Sequence, residues 1–137
     1  MTVLIVDDEI DLLQTLRRGL QARGYGVITA LSADEALAEI FRPGAAIDVV
    51  LSDYQMPGKN GADLFRELRA QRNDVPFVFI TAYADSIPGG RSIWEAGDGV
   101  IEKPCTMEKI IVCLEAAVER RSAKEAMKNQ LTEDNDK

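Results

Sequence analysis

Residues 3–20 read Val3-Leu4-Ile5-Val6-Asp7-Asp8-Glu9-Ile10-Asp11-Leu12-Leu13-Gln14-Thr15-Leu16-Arg17-Arg18-Gly19-Leu20. The apolar run 3–6 does not alternate with polar residues, which is how a strand covered on both faces reads. It ends in three acids and passes at once into Ile10, Leu13, Leu16 and Leu20, spaced three and four apart, the stripe of an amphipathic helix. The same alternation continues along the chain. Strands are expected at 26–30, 48–52, 77–81 and 99–101, each a short apolar run rich in β-branched or aromatic residues. Helical stripes fall at Ala33, Ala36, Leu37, Ile40 and Phe41, then at Leu64, Phe65 and Leu68 behind Asn60. A last stripe runs through Ile110, Ile111, Leu114, Ala117 and Val118. Ser32 followed by Glu35 reads as a capping box, and Thr106 as the cap of the last helix. One helical pattern, 88–96, is weak. It opens Pro88-Gly89-Gly90, and each glycine costs about 1 kcal/mol relative to alanine, so a short, mobile or displaced element is expected there.

Strand and helix repeated five times imply an α/β domain. Right-handed crossovers then leave few topologies, and the foremost, expected here, is a doubly wound five-stranded parallel sheet of flavodoxin-like order 2-1-3-4-5, with helices on both faces. The 137 residues suit one domain, expected at 1–120, followed by a helical extension and a frayed polar tail at 121–137. In that extension Arg121 and Glu125 are four-residue neighbours. The formal charge of −7 argues against direct binding of nucleic acid or an anionic membrane, both of which need a basic footprint. No apolar run is long enough to span a bilayer, and no basic start with a cleavage pattern directs export. The chain has no histidine, which excludes histidine acid–base catalysis, histidine metal ligands and a phosphohistidine in this chain. Cys105 and Cys113 match no zinc or redox spacing and suit a reducing compartment, so a cytoplasmic protein is expected.

In such a sheet, ligands bind outside the carboxyl ends of the strands. The first strand ends in Asp7, Asp8 and Glu9, the third in Ser52-Asp53, the fourth in Thr81-Ala82 and the fifth in Glu102-Lys103-Pro104. Three carboxylates within ~4 Å repel by a few kcal/mol per pair at an effective dielectric near 20, so either some are protonated or a cation compensates. An all-oxygen site suits a hard divalent ion such as Mg²⁺. With Mg²⁺ beside Asp53 the edge could transfer a phosphoryl group. The carboxylate would be the nucleophile, Lys103 would neutralise the phosphoryl oxygens, and Thr81 would donate a hydrogen bond. Taken singly, these residues have plainer readings: Asp8 as a helix cap, Asp53 as a turn residue, Thr81 as an ordinary strand residue, Lys103 as a solvated charge. Their joint placement after successive strands is what argues for chemistry.

The pattern Val6-Asp7-Asp8-Glu9, Asp53-Tyr54-Gln55-Met56-Pro57-Gly58-Lys59-Asn60-Gly61, Thr81-Ala82 and Lys103-Pro104 closely resembles the receiver domain of two-component response regulators, over about residues 2–120. The resemblance implies that Asp53 is the phosphate acceptor. It implies that Asp8, Asp53 and the Gln55 backbone carbonyl hold Mg²⁺ directly and that Asp7 acts through a water. Thr81 and Lys103 would contact the phosphoryl group and couple its arrival to the face built from the fourth helical pattern, the fifth strand and the last helix. That face would also be the homodimer surface. A partner histidine kinase or histidine phosphotransfer protein would supply the phosphate, and a downstream protein or effector domain would read the change. The family usually has Tyr or Phe three residues before the lysine; here the position is Val100. Together with the glycines at 89 and 90, this suggests output by ordering a loose helix rather than by swinging a ring.

Two other readings use the same fold. A Mg²⁺-dependent phosphatase with an aspartyl-phosphate would also show an acidic strand end and a lysine. Its nucleophile signature, two aspartates with one residue between them followed by Thr or Val, is not what Asp7-Asp8-Glu9-Ile10 spells. A flavin or nucleotide binder wants a glycine- or hydroxyl-rich loop after the first strand, where this chain carries acid. The favoured expectation is a phosphorylation-activated switch, not a turnover enzyme.

Overall fold

The computed structural model describes residues 1–71, 73–82 and 97–135. Among them the elements run β1 (Thr2–Val6), α1 (Ile10–Ala22), β2 (Gly26–Ala30), α2 (Ala33–Ile40) and β3 (Val49–Asp53), then α3 (Gly61–Ala70), β4 (Phe77–Thr81), β5 (Gly99–Glu102) and α4 (Met107–Asn135). Every strand pairing is parallel, and the sheet order is β2-β1-β3-β4-β5, as expected. The weak helical pattern at 88–96 lies outside the described residues.

Side chains alternate between two buried layers, which is why the strands read as unbroken apolar runs. Val3, Ile5, Leu51, Val78, Ile80 and Ile101 face one layer, against Leu13, Leu16 and Leu20 of α1 and Ile110, Leu114 and Ala117 of α4. Leu4, Val6, Val50, Phe77 and Phe79 face the other, against Ala33 and Ala36 of α2 and Leu64, Phe65 and Leu68 of α3. Phe65 meets Phe77 and Phe79 edge-on, with ring centroids 5.4 and 5.7 Å away. Val100 sits half-buried beside this second layer, with Phe79 as its cross-strand neighbour.

β1 begins one residue earlier than expected, at Thr2, and two strands end one residue later, both at the carboxyl edge of the sheet. β3 starts one residue later than expected and ends on Asp53, because Asp53 pairs with Ile80 of β4 and the Tyr54 N–H still donates to the Ile80 carbonyl at 3.1 Å. β5 gains Glu102, which pairs with Thr81. The caps follow the side-chain chemistry. Ser32 accepts from the Glu35 N–H as expected, but the Glu35 carboxylate takes the N–H of Leu31, one residue ahead of the cap. Asn60 and Asp63 form a complete reciprocal box at the start of α3. Thr106 Oγ1 accepts from the Lys109 N–H at 3.2 Å, as expected.

The last helix continues without a break to Asn135. Arg121, expected to line up with Glu125 on an exposed extension, turns inward instead. It is only 19% exposed and its Nε donates to Asp98 at 2.8 Å.

Candidate functional site

The carboxyl edge of the sheet is assembled by register. The Asp7 N–H donates to the Ala30 carbonyl at 3.1 Å, which extends the β1–β2 ladder one residue and draws Asp7 fully into the protein, at 0% exposure. Its Oδ1 accepts from the Glu9 N–H at 2.9 Å and so bends the chain into α1. Asp8 stays exposed, and it is Glu9, not Asp8, that occupies the cap position of α1, without a side-chain cap bond. The plainer reading of Asp8 as a cap is therefore not what forms.

Asp53, 6% exposed, ends β3, and its Oδ1 accepts from the Gln55 N–H at 3.2 Å. The backbone behind it is held closely by the start of α3: the Gly61 N–H donates to the Tyr54 carbonyl at 2.8 Å. A Cβ on Gly61 would lie 2.5 Å from the Asp53 carbonyl oxygen, an impossible contact with backbone. Gly61→Ala must push α3 away from the Asp53 backbone; a loss of about 1–3 kcal/mol is expected, read as a lower urea midpoint.

Asp7, Asp8 and Asp53 each present an oxygen, all within 4.8 Å of one another. Lys103 enters from the end of β5, where its N–H donates to the Thr81 carbonyl at 2.8 Å. Its Nζ lies 3.5 Å from Asp53 Oδ2 and 3.8 Å from Asp7 Oδ2. Thr81, buried at the end of β4, completes the edge. All the residues singled out in the sequence thus meet at one place. Gln55 meets them through its backbone, since its N–H binds Asp53 while its residue is exposed.

Burial dominates the electrostatics. It raises the Asp7 carboxyl from an ordinary 3.8 to about 6, with help from the charges of Asp53 and Asp8 and against the Glu9 N–H and Lys103. Burial also raises Asp53, opposed by Lys103 and by the Gln55 N–H. One ammonium faces three carboxylates, and Asp7 Oδ2 is buried without a hydrogen-bond donor. An orphaned buried acceptor in an all-oxygen cluster of excess negative charge fits a hard divalent cation or its bound water.

Sequence reasoning missed a second charged cluster, at the opposite end of β5. Asp98, 2% exposed, receives the Phe77 N–H at 2.8 Å, Arg69 Nη2 at 3.5 Å and Arg121 Nε at 2.8 Å. Its partners stand 21, 29 and 23 residues away, so no local pattern announces it.

An acidic cluster at the carboxyl edge of a doubly wound parallel sheet, with a lysine reaching in from the last strand, is the arrangement of a receiver-type domain. Comparison with known proteins agrees. Residues 3–115 match the family model for the response regulator receiver domain. The chain is 34% identical over 120 residues to the sensor kinase CckA of Brucella abortus, covering 88% of this chain and 13% of that protein. It is 36% identical over 124 residues to the transcriptional regulatory protein PrrA of Mycobacterium leprae, covering 88% of this chain and 51% of that protein. The crystal structure of a response regulator receiver domain protein from Clostridium thermocellum superposes with a TM-score of 0.78 at 27% identity, covering 89% of this chain and 97% of that one. The chain belongs to the response regulator receiver domain family of two-component systems. It spans about half the length, or less, of these curated relatives. Among the described residues no helix is long and apolar enough to cross a membrane.

Proposed function

We propose that this domain is a phosphorylation-activated switch whose acceptor is Asp53. The observation that carries the reading is a buried carboxylate at the end of β3 that shares a 4.8 Å cluster with Asp7 and Asp8 and lies 3.5 Å from the Lys103 ammonium. An Asp53 oxygen attacks the phosphorus of a phosphohistidine on a partner kinase or phosphotransfer protein. The P–N bond breaks, the electron pair leaves with the imidazole, and an acyl phosphate forms on Asp53. Lys103 neutralises the phosphoryl oxygens and Thr81 donates a hydrogen bond to one of them. Asp8, Asp53 and the Gln55 carbonyl would hold Mg²⁺ directly and Asp7 through a water, and the ion supplies further neutralisation of phosphoryl charge. The product signals by changed contacts with a downstream protein or effector domain or with a second copy of the chain. The setting is the cytoplasm, where a phosphohistidine donor is found.

The family match favours this switch over a Mg²⁺-dependent phosphatase, which would turn over free phosphate esters. The test is incubation with Mg²⁺ and acetyl phosphate followed by intact-mass measurement. A gain of one phosphate that needs Mg²⁺ and disappears in Asp53→Asn is expected. Steady release of phosphate from a generic ester, without labelling, would overturn the reading. A second expectation concerns Lys103. Lys103→Ala should still label, since the nucleophile and the acidic cluster remain. Its hydrogen-exchange response to labelling should shrink, because the ammonium is the link between phosphoryl group and β5; a full response would remove that role.

A further inference from the structure

The strand β5 joins the acidic edge to the buried Asp98 cluster. Lys103 follows its last residue at the acidic edge, and Asp98 precedes its first at the other end. The five intervening steps span roughly 16 Å of extended chain. Among the described residues β5 pairs in the sheet with β4 alone. At its far end the Asp98 carboxylate grips three elements at once. It takes the Phe77 N–H of β4, Arg69 of α3 and Arg121 of α4. Arg69 is itself fixed, stacked 4.6 Å from the Phe65 ring and donating to the Asn73 carbonyl at 2.9 Å.

The helix α4 is tied on its other flank as well. Arg23 pairs with Glu108 at 3.0 Å, and the Tyr25 hydroxyl donates to Glu115 at 2.5 Å. Those exposed contacts are cheaply broken. Arg121 is different, being largely buried on a buried carboxylate. Past it, residues 122–127 are all exposed, and the helix runs on to Asn135. At 1.5 Å per residue the helix beyond Arg121 is about 20 Å long, so a small rotation at this anchor becomes a large displacement at its tip.

We propose that β5 carries the phosphorylation signal lengthwise, from Lys103 to the Asp98–Arg121 pair, and that the outgoing half of α4 is the element it moves. This rests on Asp53 being the acceptor. When Lys103 is drawn to the phosphoryl group, β5 shifts with it, and the Asp98 carboxylate changes its hold on Arg121. The output is then a redirected helix, a route that does not depend on an aromatic ring at Val100.

The experiment is hydrogen exchange on peptides covering residues 119–131, with and without Mg²⁺ and acetyl phosphate, on the wild-type chain and Arg121→Gln. Arg121→Gln keeps Asp98 bonded to the Phe77 N–H and Arg69, and it leaves the acidic edge untouched. In the wild type, labelling should change exchange in these peptides by about threefold or more, the mark of a shifted local opening equilibrium. In Arg121→Gln the label on Asp53 should form as before while that change disappears. A labelled wild-type chain with unchanged exchange at 119–131, or an Arg121→Gln chain that responds as the wild type does, would overturn the inference alone. A wild-type chain that takes no label would overturn the acceptor reading, and the inference would fall with it.

Discussion

Asp7→Asn should make the metal-free protein more stable at neutral pH, by roughly 1–3 kcal/mol, while removing its stabilisation by Mg²⁺. The cause is the burial that lifts the Asp7 carboxyl from 3.8 to about 6. An acid whose folded pKa is raised holds its proton more tightly in the native state than in the unfolded chain. Stability is then highest below the unfolded value and falls as pH rises toward the folded one. Above about 6 the native protein carries the whole cost of a buried charge, and asparagine removes it. At about pH 4 the native carboxyl is already protonated, and the substitution should gain little. The same charge is what a divalent ion would neutralise. Thermal melts of both chains across this pH range, with and without Mg²⁺, give the check. A variant less stable at neutral pH, or one as strongly stabilised by Mg²⁺ as the wild type, would contradict the role given to Asp7.

Asp98→Ala should cost about 3–5 kcal/mol, the loss typical of breaking a buried ion pair from one side. The substitution strands two arginines, each 19% exposed, and leaves the Phe77 N–H without its acceptor inside the sheet. Burial and the neighbouring Arg121 charge already disfavour the Arg69 cation, so that cation has much to lose when Asp98 is gone. Arg121→Gln removes one of three contacts and should cost only about 1 kcal/mol. Urea denaturation of the two variants separates these cases. An Asp98→Ala midpoint close to that of Arg121→Gln would mean that the cluster does not hold the three elements together.

Much of the fold can be read in the sequence because the physics that sets it is periodic. Residues 3–6 and 77–80 are apolar without alternation since both faces of the sheet are covered, and Leu13, Leu16 and Leu20 keep helical spacing since α1 buries one stripe. The convergence of Asp7, Asp8, Asp53, Thr81 and Lys103 on one edge was legible for a related reason. A parallel sheet sends every strand end to one edge, so acids and a lysine placed after successive strands must meet. What was not legible depends on contacts between distant segments. Asp98 looks like one more loop acid until Phe77, Arg69 and Arg121 converge on it. Arg121 looks like one more surface cation until the helix phase turns it inward. The close approach of Gly61 to the Asp53 carbonyl is likewise invisible in one dimension, although glycine is the residue it demands. The exact end of β3 depends on a cross-strand partner, Ile80, rather than on propensity.

Borohydride reduction after labelling tests the assignment of the acceptor most directly, because it converts an aspartyl phosphate to homoserine at the residue that carried it. Protein treated with Mg²⁺ and acetyl phosphate, reduced, digested and mapped by mass spectrometry should show homoserine at position 53 and aspartate unchanged at positions 7, 8 and 98. Homoserine at any of those other positions, or a labelled protein with position 53 intact, would contradict it.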